Sequence, residues 1–136
     1  MYNLTNIRAV DGALTVDGTA KSKGSLIAAA QGVHQGQRYF GKALLTCEAP
    51  GDTMRKIVGH ALEIVPEGAP SGGGISIQVL LRGKPAAGVP VEIVSNGGAG
   101  ITGPEGRLRL KIGGAGVYRF VVAHETMRAS LSFEMK

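Results

Sequence analysis

Between Gly74 and Val94 the sequence GISIQVLLRGKPAAGVPVEIV alternates apolar and polar residues with a period of two, and the pattern returns between Ile101 and Val122. Ile75, Ile77, Val79 and Leu81 share one parity; Ser76, Gln78, Leu80 and Arg82 share the other. That period puts each set on its own face of a β-strand. Arg82-Gly83-Lys84-Pro85 interrupts the run with turn residues, and Val89, Val91 and Ile93 resume it against Pro90 and Glu92. The segment reads as two strands around a Gly-Lys-Pro turn. Pro90 has no N–H to give to a ladder, so its strand is an edge or begins at that residue. In the second segment Leu108, Leu110 and Ile112 alternate with Arg107, Arg109 and Lys111, and Tyr118, Phe120 and Val122 run out of phase with Arg119. A sheet with one apolar and one charged face is antiparallel and has to be covered by a second layer.

The rest of the chain carries the same signals. Met1 to Ala20 reads as a hairpin, with Asp11-Gly12 between two short apolar runs and Asp17-Gly18 as a second turn. Ser25 to Gln31 is a strand, Gly32 to Gln37 a loop that holds His34, and Arg38 to Cys47 the next strand. Ala-Pro-Gly-Asp at residues 49–52 marks the joint between an N-terminal segment and a C-terminal sandwich. Ala61 to Val65 is a strand stopped by Pro66. Met127, Ala129, Leu131, Phe133 and Met135 alternate with Arg128, Ser130, Ser132 and Glu134 in the last one. Short strands with turns every ten or so residues indicate a sandwich or barrel. The expected fold is all-β: an antiparallel β-sandwich over residues 58–136, with a β segment over 1–57 packing on it or completing it.

Composition narrows the function classes. With 43% hydrophobic residues the chain can bury a core, but three Phe and no Trp predict one built of Val, Ile, Leu and Ala. No run of about 18 apolar residues is present, so no membrane-spanning helix is expected. The net charge of +5 is spread through the strands rather than clustered. Arg107, Arg109, Lys111 and Arg119 make one basic patch only if their strands pair, and no aromatic residue interleaves with them, which argues against nucleic acid. Cys47 is the single cysteine and has no internal disulfide partner. It lies in phase with Tyr39, Ala43 and Leu45 and reads as a buried thiol. No charged-then-apolar leader opens the chain, which leaves a cytoplasmic protein or a processed one.

Two resemblances rest on quoted residues. Gly83-Lys84-Pro85-Ala86-Ala87-Gly88-Val89-Pro90-Val91, Thr102-Gly103-Pro104-Glu105-Gly106-Arg107-Leu108 and Gly116-Val117-Tyr118-Arg119-Phe120-Val121-Val122 resemble the prealbumin-like and immunoglobulin-like modules of bacterial surface and periplasmic proteins. More narrowly, Gly59-His60-Ala61-Leu62-Glu63-Ile64-Val65-Pro66 followed by Gln78-Val79-Leu80-Leu81-Arg82-Gly83-Lys84-Pro85-Ala86-Ala87-Gly88 is similar to a bacterial family labelled as the periplasmic component of cobalt or nickel uptake systems. Tyr39-Phe40-Gly41-Lys42-Ala43 and Val122-Ala123-His124-Glu125 fit the same family, so the resemblance covers residues 37 to 125. It implies a periplasmic or secreted, non-catalytic immunoglobulin-like or prealbumin-like β-sandwich that handles a divalent nickel or cobalt ion. Members of that family carry a His and a Trp near the mature start; this chain has neither there.

Metal binding is accordingly the one site chemistry to weigh. The candidate ligands are His60, His124, Glu63 and Glu125, with His34 and Cys47 as further donors; imidazole suits nickel, cobalt, zinc and copper. None stands at a diagnostic spacing: there is no Cys-x-x-Cys, His-x-His or His-Glu-x-x-His. His60 is in phase with Leu62 and Ile64, and His124 with Val122 and Phe120, so a structural histidine at a strand end is the competing reading. No Gly-x-Ser-x-Gly elbow is present, and the chain lacks the C-terminal Tyr-Arg-Gly-Ser tail on which the hydrolase branch of the prealbumin fold depends. The glycine runs at 72–74 and 97–100 precede strands rather than a helix N-terminus, and are loops rather than phosphate cradles. The expected role is a non-enzymatic accessory of nickel or cobalt uptake. The alternative is a structural or protein-interaction module that offers an edge strand or the basic face to a transport component or to itself.

Overall fold

A computed structural model describes residues 2–10, 13–20, 25–46, 57–68, 70–94 and 97–135. These residues form twelve strands and no helix. Strands β1 (Tyr2–Val10) and β2 (Ala13–Ala20) make a hairpin of their own. Six strands form the larger sheet, in the order β3 (Ser25–His34), β4 (Gln37–Thr46), β12 (Met127–Met135), β11 (Gly116–His124), β8 (Pro90–Ile93) and β9 (Ala99–Ile101). The smaller sheet runs β10 (Arg107–Lys111), β6 (Gly74–Leu81) and β5 (Leu62–Pro66), with the two-residue β7 (Lys84–Pro85) folded back on β6. Every pairing is antiparallel except β4 with β12, which is parallel. This is the expected all-β sandwich, and residues 25–46 of the N-terminal segment are strands of its larger sheet.

The core lies between the two sheets, and the period-two residues line it. Ile75, Ile77 and Val79 of β6 are buried, as are Tyr118, Phe120 and Val122 of β11 and Ala129, Leu131 and Phe133 of β12. All three phenylalanines belong to this core, whose other members are mostly Val, Ile, Leu and Ala, as composition predicts. Phe120 and Phe133 meet with ring centroids 5.5 Å apart, and Tyr118 stacks on Phe133 at 5.7 Å.

Several local expectations change. Asp17-Gly18 continues β2 rather than turning. The Gly32–Gln37 loop shrinks to a two-residue turn at Gln35-Gly36, both at positive φ, and His34 ends β3. β6 and β8, read as neighbours around the Gly-Lys-Pro turn, fall in opposite sheets. The turn at Arg82-Gly83 leads only into β7; the chain then crosses to the other layer, and β8 begins at Pro90 between β11 and β9. On β4 the buried set is Phe40, Lys42 and Leu44, not the parity of Tyr39 and Ala43. That set faces the smaller sheet, where Lys42 meets Glu63 of β5, and the other parity is covered only in part. Gly41 and Ser130, opposed in the β4–β12 register, are buried on the far face of the sheet, where the backbone of β2 approaches β4 and β12. Cys47 lies outside the described residues.

Two of the resembling motifs, at 83–91 and 102–108, meet through turn chemistry. The Thr102 hydroxyl is buried, donates to the Ala86 carbonyl at 2.6 Å and accepts from the Val89 N–H at 2.9 Å, tying the two glycine-rich turns together. Gly106 sits at φ +71, and a Cβ there would stand 2.8 Å from both the Ala86 nitrogen and the Val79 oxygen. Only glycine satisfies that conformation and that approach.

Candidate functional site

The charged centre of the molecule is a pair between the layers. Lys42 of β4 donates from Nζ to Oε2 of Glu63 on β5 at 2.8 Å, and both side chains are almost fully enclosed. The same Glu63 oxygen accepts the Val58 N–H at 2.9 Å, while Oε1 accepts those of Gly59 at 3.0 Å and His60 at 3.2 Å. One carboxylate thus takes a cation and three successive backbone donors, and the segment leading into β5 is wrapped around it. Burial alone would raise the Glu63 pKa; the bond from Lys42 and the N–H groups of Val58 and Gly59 outweigh it and hold the carboxyl below its ordinary range. Burial pushes the Lys42 ammonium below its ordinary value, and Glu63 offsets this only in part.

His60 packs beside this pair. Its ring lies against Phe40 with centroids 5.4 Å apart, and the Arg38 guanidinium stands over the same Phe40 ring at 5.1 Å. Burial pushes the His60 imidazole below its ordinary pKa, against the pull of Glu63, so it stays neutral near pH 7. His124 ends β11, with Met127 and Arg38 next to it in the register of the larger sheet. Its Nε2 is 4.0 Å from Oε1 of Glu125, which occupies the following turn at φ +53. The four candidate ligands therefore fall into two pairs, His60 with Glu63 and His124 with Glu125. Among the described residues no group of three or more His, Cys, Asp or Glu stands close enough to hold a metal ion. A metal at Glu63 would have to displace the donors already there. His34 lies in the other direction, edge-on to Tyr39 with centroids 6.4 Å apart.

The basic face is divided. β10, with Arg107, Arg109 and Lys111, belongs to the smaller sheet, and β11, with Arg119, to the larger, so the four cations do not form one patch. Arg107 is paired with Glu67, at 2.5 Å, and with Glu105, while Arg109 donates to the Ser71 carbonyl at 2.6 Å and to the Ser76 hydroxyl at 3.3 Å. A depression of about 510 Å³ beside the β8–β9 connection is lined by Glu92, Val94, Val121 and glycines, with Glu92 as its one ionisable side chain among the described residues.

The sheet edges differ in how they are protected. β9 has three residues and lies against β10, where Leu108 stands 3.0 Å from the site of a Gly100 Cβ. β10 carries three cations, and β5 is buried along its length and stops at Pro66. β3 is ten residues long, SLIAAAQGVH, with no Lys, Arg, Asp, Glu or Pro. Among the described residues its one neighbour in the sheet is β4. The residues of β3 that share a face with Phe40 and Lys42 project past the smaller sheet: Ala29 and Gln31 are exposed, and Val33 is 74% exposed.

Sequence reasoning missed Lys42 and Thr102. For Lys42 the signal was available, since a lysine between Phe40 and Leu44 on one parity is a cation in an apolar row. For Thr102 none was.

The family model described as a domain of unknown function, DUF4198, matches residues 2–126 of the chain. No curated protein and no solved structure matches it.

Proposed function

This chain belongs to the DUF4198 family, a domain of unknown function, and we propose that it is a non-catalytic β-sandwich that binds a protein partner through the open edge of β3. The carrying observation is that edge: ten residues long, uncharged, free of proline and, among the described residues, bordered on one side only. Native proteins blunt such edges with charge, proline, shortness or cover, and an edge left open is a template for strand addition. A non-catalytic role agrees with the buried polar side chains, since Lys42, Glu63 and Thr102 are bonded to the scaffold. The periplasm or cell exterior is the compartment that goes with the resemblance to periplasmic proteins.

Amide hydrogen exchange on the dilute chain tests the reading. Every second amide of β3 turns away from β4, and those amides should exchange fast while the alternate ones are protected. Protection of both sets in the dilute chain would mean that the chain covers its own edge, and would overturn the proposal.

An accessory role in nickel or cobalt uptake is the second reading, and His60 favours it: a half-buried imidazole held neutral is in the form that ligates a metal. Calorimetric titration with Ni²⁺ and Co²⁺ should then show binding that is lost in His60→Ala; heat no greater than dilution would remove this reading.

A further inference from the structure

We infer that the partner at β3 is a second copy of this chain, the two β3 strands pairing antiparallel across a two-fold axis to join the larger sheets of both molecules. The inference rests on β3 being an open binding edge and adds what occupies it. β3 has no Lys, Arg, Asp or Glu with which to select a charged peptide, and its exposed side chains, Ala29, Gln31, Val33 and the terminal His34, carry no carboxylate or ammonium. Recognition there is by main-chain groups, and it requires of the occupant an extended, uncharged strand free of proline. The β3 of another copy meets that requirement. An antiparallel pairing of identical strands is also closed by its own symmetry: each residue that one copy offers, the other returns, and no third edge is created.

Charge favours this edge over the others for self-association. Each copy carries +5, so copies repel at a distance. A contact through β10 would oppose Arg107, Arg109 and Lys111 to themselves. A contact through β3 sets no like charges against each other. The residual long-range repulsion is screened by salt, so the β3 dimer should tighten as salt is added, whereas an acidic ligand on this basic chain would be released. One strand pair is a small interface, below the usual size for a permanent complex, and the dimer should be reversible.

Sedimentation equilibrium on the full chain over two decades of concentration, at low and high salt, tests this. The expected result is a mass that rises from 14.0 kDa toward twice that value, more so at high salt. The double variant Ala29→Lys/Gln31→Lys places charge on the exposed side of the strand and should stay monomeric with an unchanged far-ultraviolet dichroism spectrum. Val33→Lys, at the exposed end, is an independent disruptor should the double variant fold poorly. A wild-type chain that stays monomeric throughout overturns the second copy as partner. If its outward β3 amides still exchange fast, the open-edge reading survives that failure. Dimerisation that persists in folded variants places the contact elsewhere and overturns β3.

Discussion

Lys42 and Glu63 show how one buried pair can hold two layers together. Burying two charges costs more than their attraction returns unless further bonds satisfy them, and replacing such a pair with apolar residues is often neutral. Glu63 differs because it also serves the N–H groups of Val58, Gly59 and His60. Lys42→Met should therefore lower stability by about 3–5 kcal/mol in denaturant unfolding, as expected when a buried pair is broken from one side; a loss below about 1 kcal/mol would show the pair to be incidental. The same residues set a pH dependence. Glu63 and His60 both have native pKa values below their unfolded ones. The unfolded chain then binds protons first as pH falls, so their stabilisation is complete above about pH 6.5 and is lost on acidification, first through His60 and then through Glu63. Lys42, pushed down by burial, acts in the alkaline window, where stability rises with pH as the unfolded chain gives up the extra proton. Urea midpoints measured from pH 8 to pH 4 should fall, and Glu63→Gln should flatten the lower part of that curve. A midpoint that rises on acidification would contradict these assignments.

At the scale of elements, the turns decide where strands go. Gly88 and Gly106 both sit at φ +71, but a Cβ on Gly88 meets nothing within 4 Å, whereas one on Gly106 meets two backbone atoms at 2.8 Å. Gly88→Ala should cost about 1–2 kcal/mol, the penalty of the left-handed region alone. Gly106→Ala should cost clearly more, because neither the Ala86 nitrogen nor the Val79 oxygen can move without breaking the bond between them, Ala86 N–H to Val79 C=O at 2.9 Å. Equal losses in thermal unfolding would mean that the turn relaxes. Strand existence was legible in the sequence wherever one face is dry and one wet, as in Arg107–Lys111 and Gly116–His124, and alternation alone sufficed for Met127–Met135, whose far face buries Ser130. For β4 the strand was legible but its buried face was not, because Phe40, Lys42 and Leu44 face the smaller sheet while the other parity is also partly covered, with Gly41 buried. The residue pattern held no hint that β6 and β8 part to opposite layers, since a two-residue hairpin and a crossover open with the same turn residues.

Across the whole molecule, pairing between distant segments is what the sequence could not disclose. The parallel contact of β4 with β12 joins residues 37–46 to 127–135 and leaves no mark in either strand's period. It is nevertheless the contact on which the functional reading turns, because docking β4 moves the edge of the sheet, among the described residues, from β12 to β3. The candidate metal ligands were likewise easy to name one by one, but their grouping depends on which layers face each other, and that placed His60 and His124 beside different carboxylates. The direct measurement is an isotope-edited nuclear Overhauser experiment on the full chain. Backbone contacts linking Phe40 with Ala129 and Lys42 with Leu131, with slow exchange of β12 amides on both sides, are the predicted result. If those contacts are missing and alternate β12 amides exchange freely, β12 is the open edge, and the sandwich, its Lys42–Glu63 clasp and the role given to β3 are all contradicted.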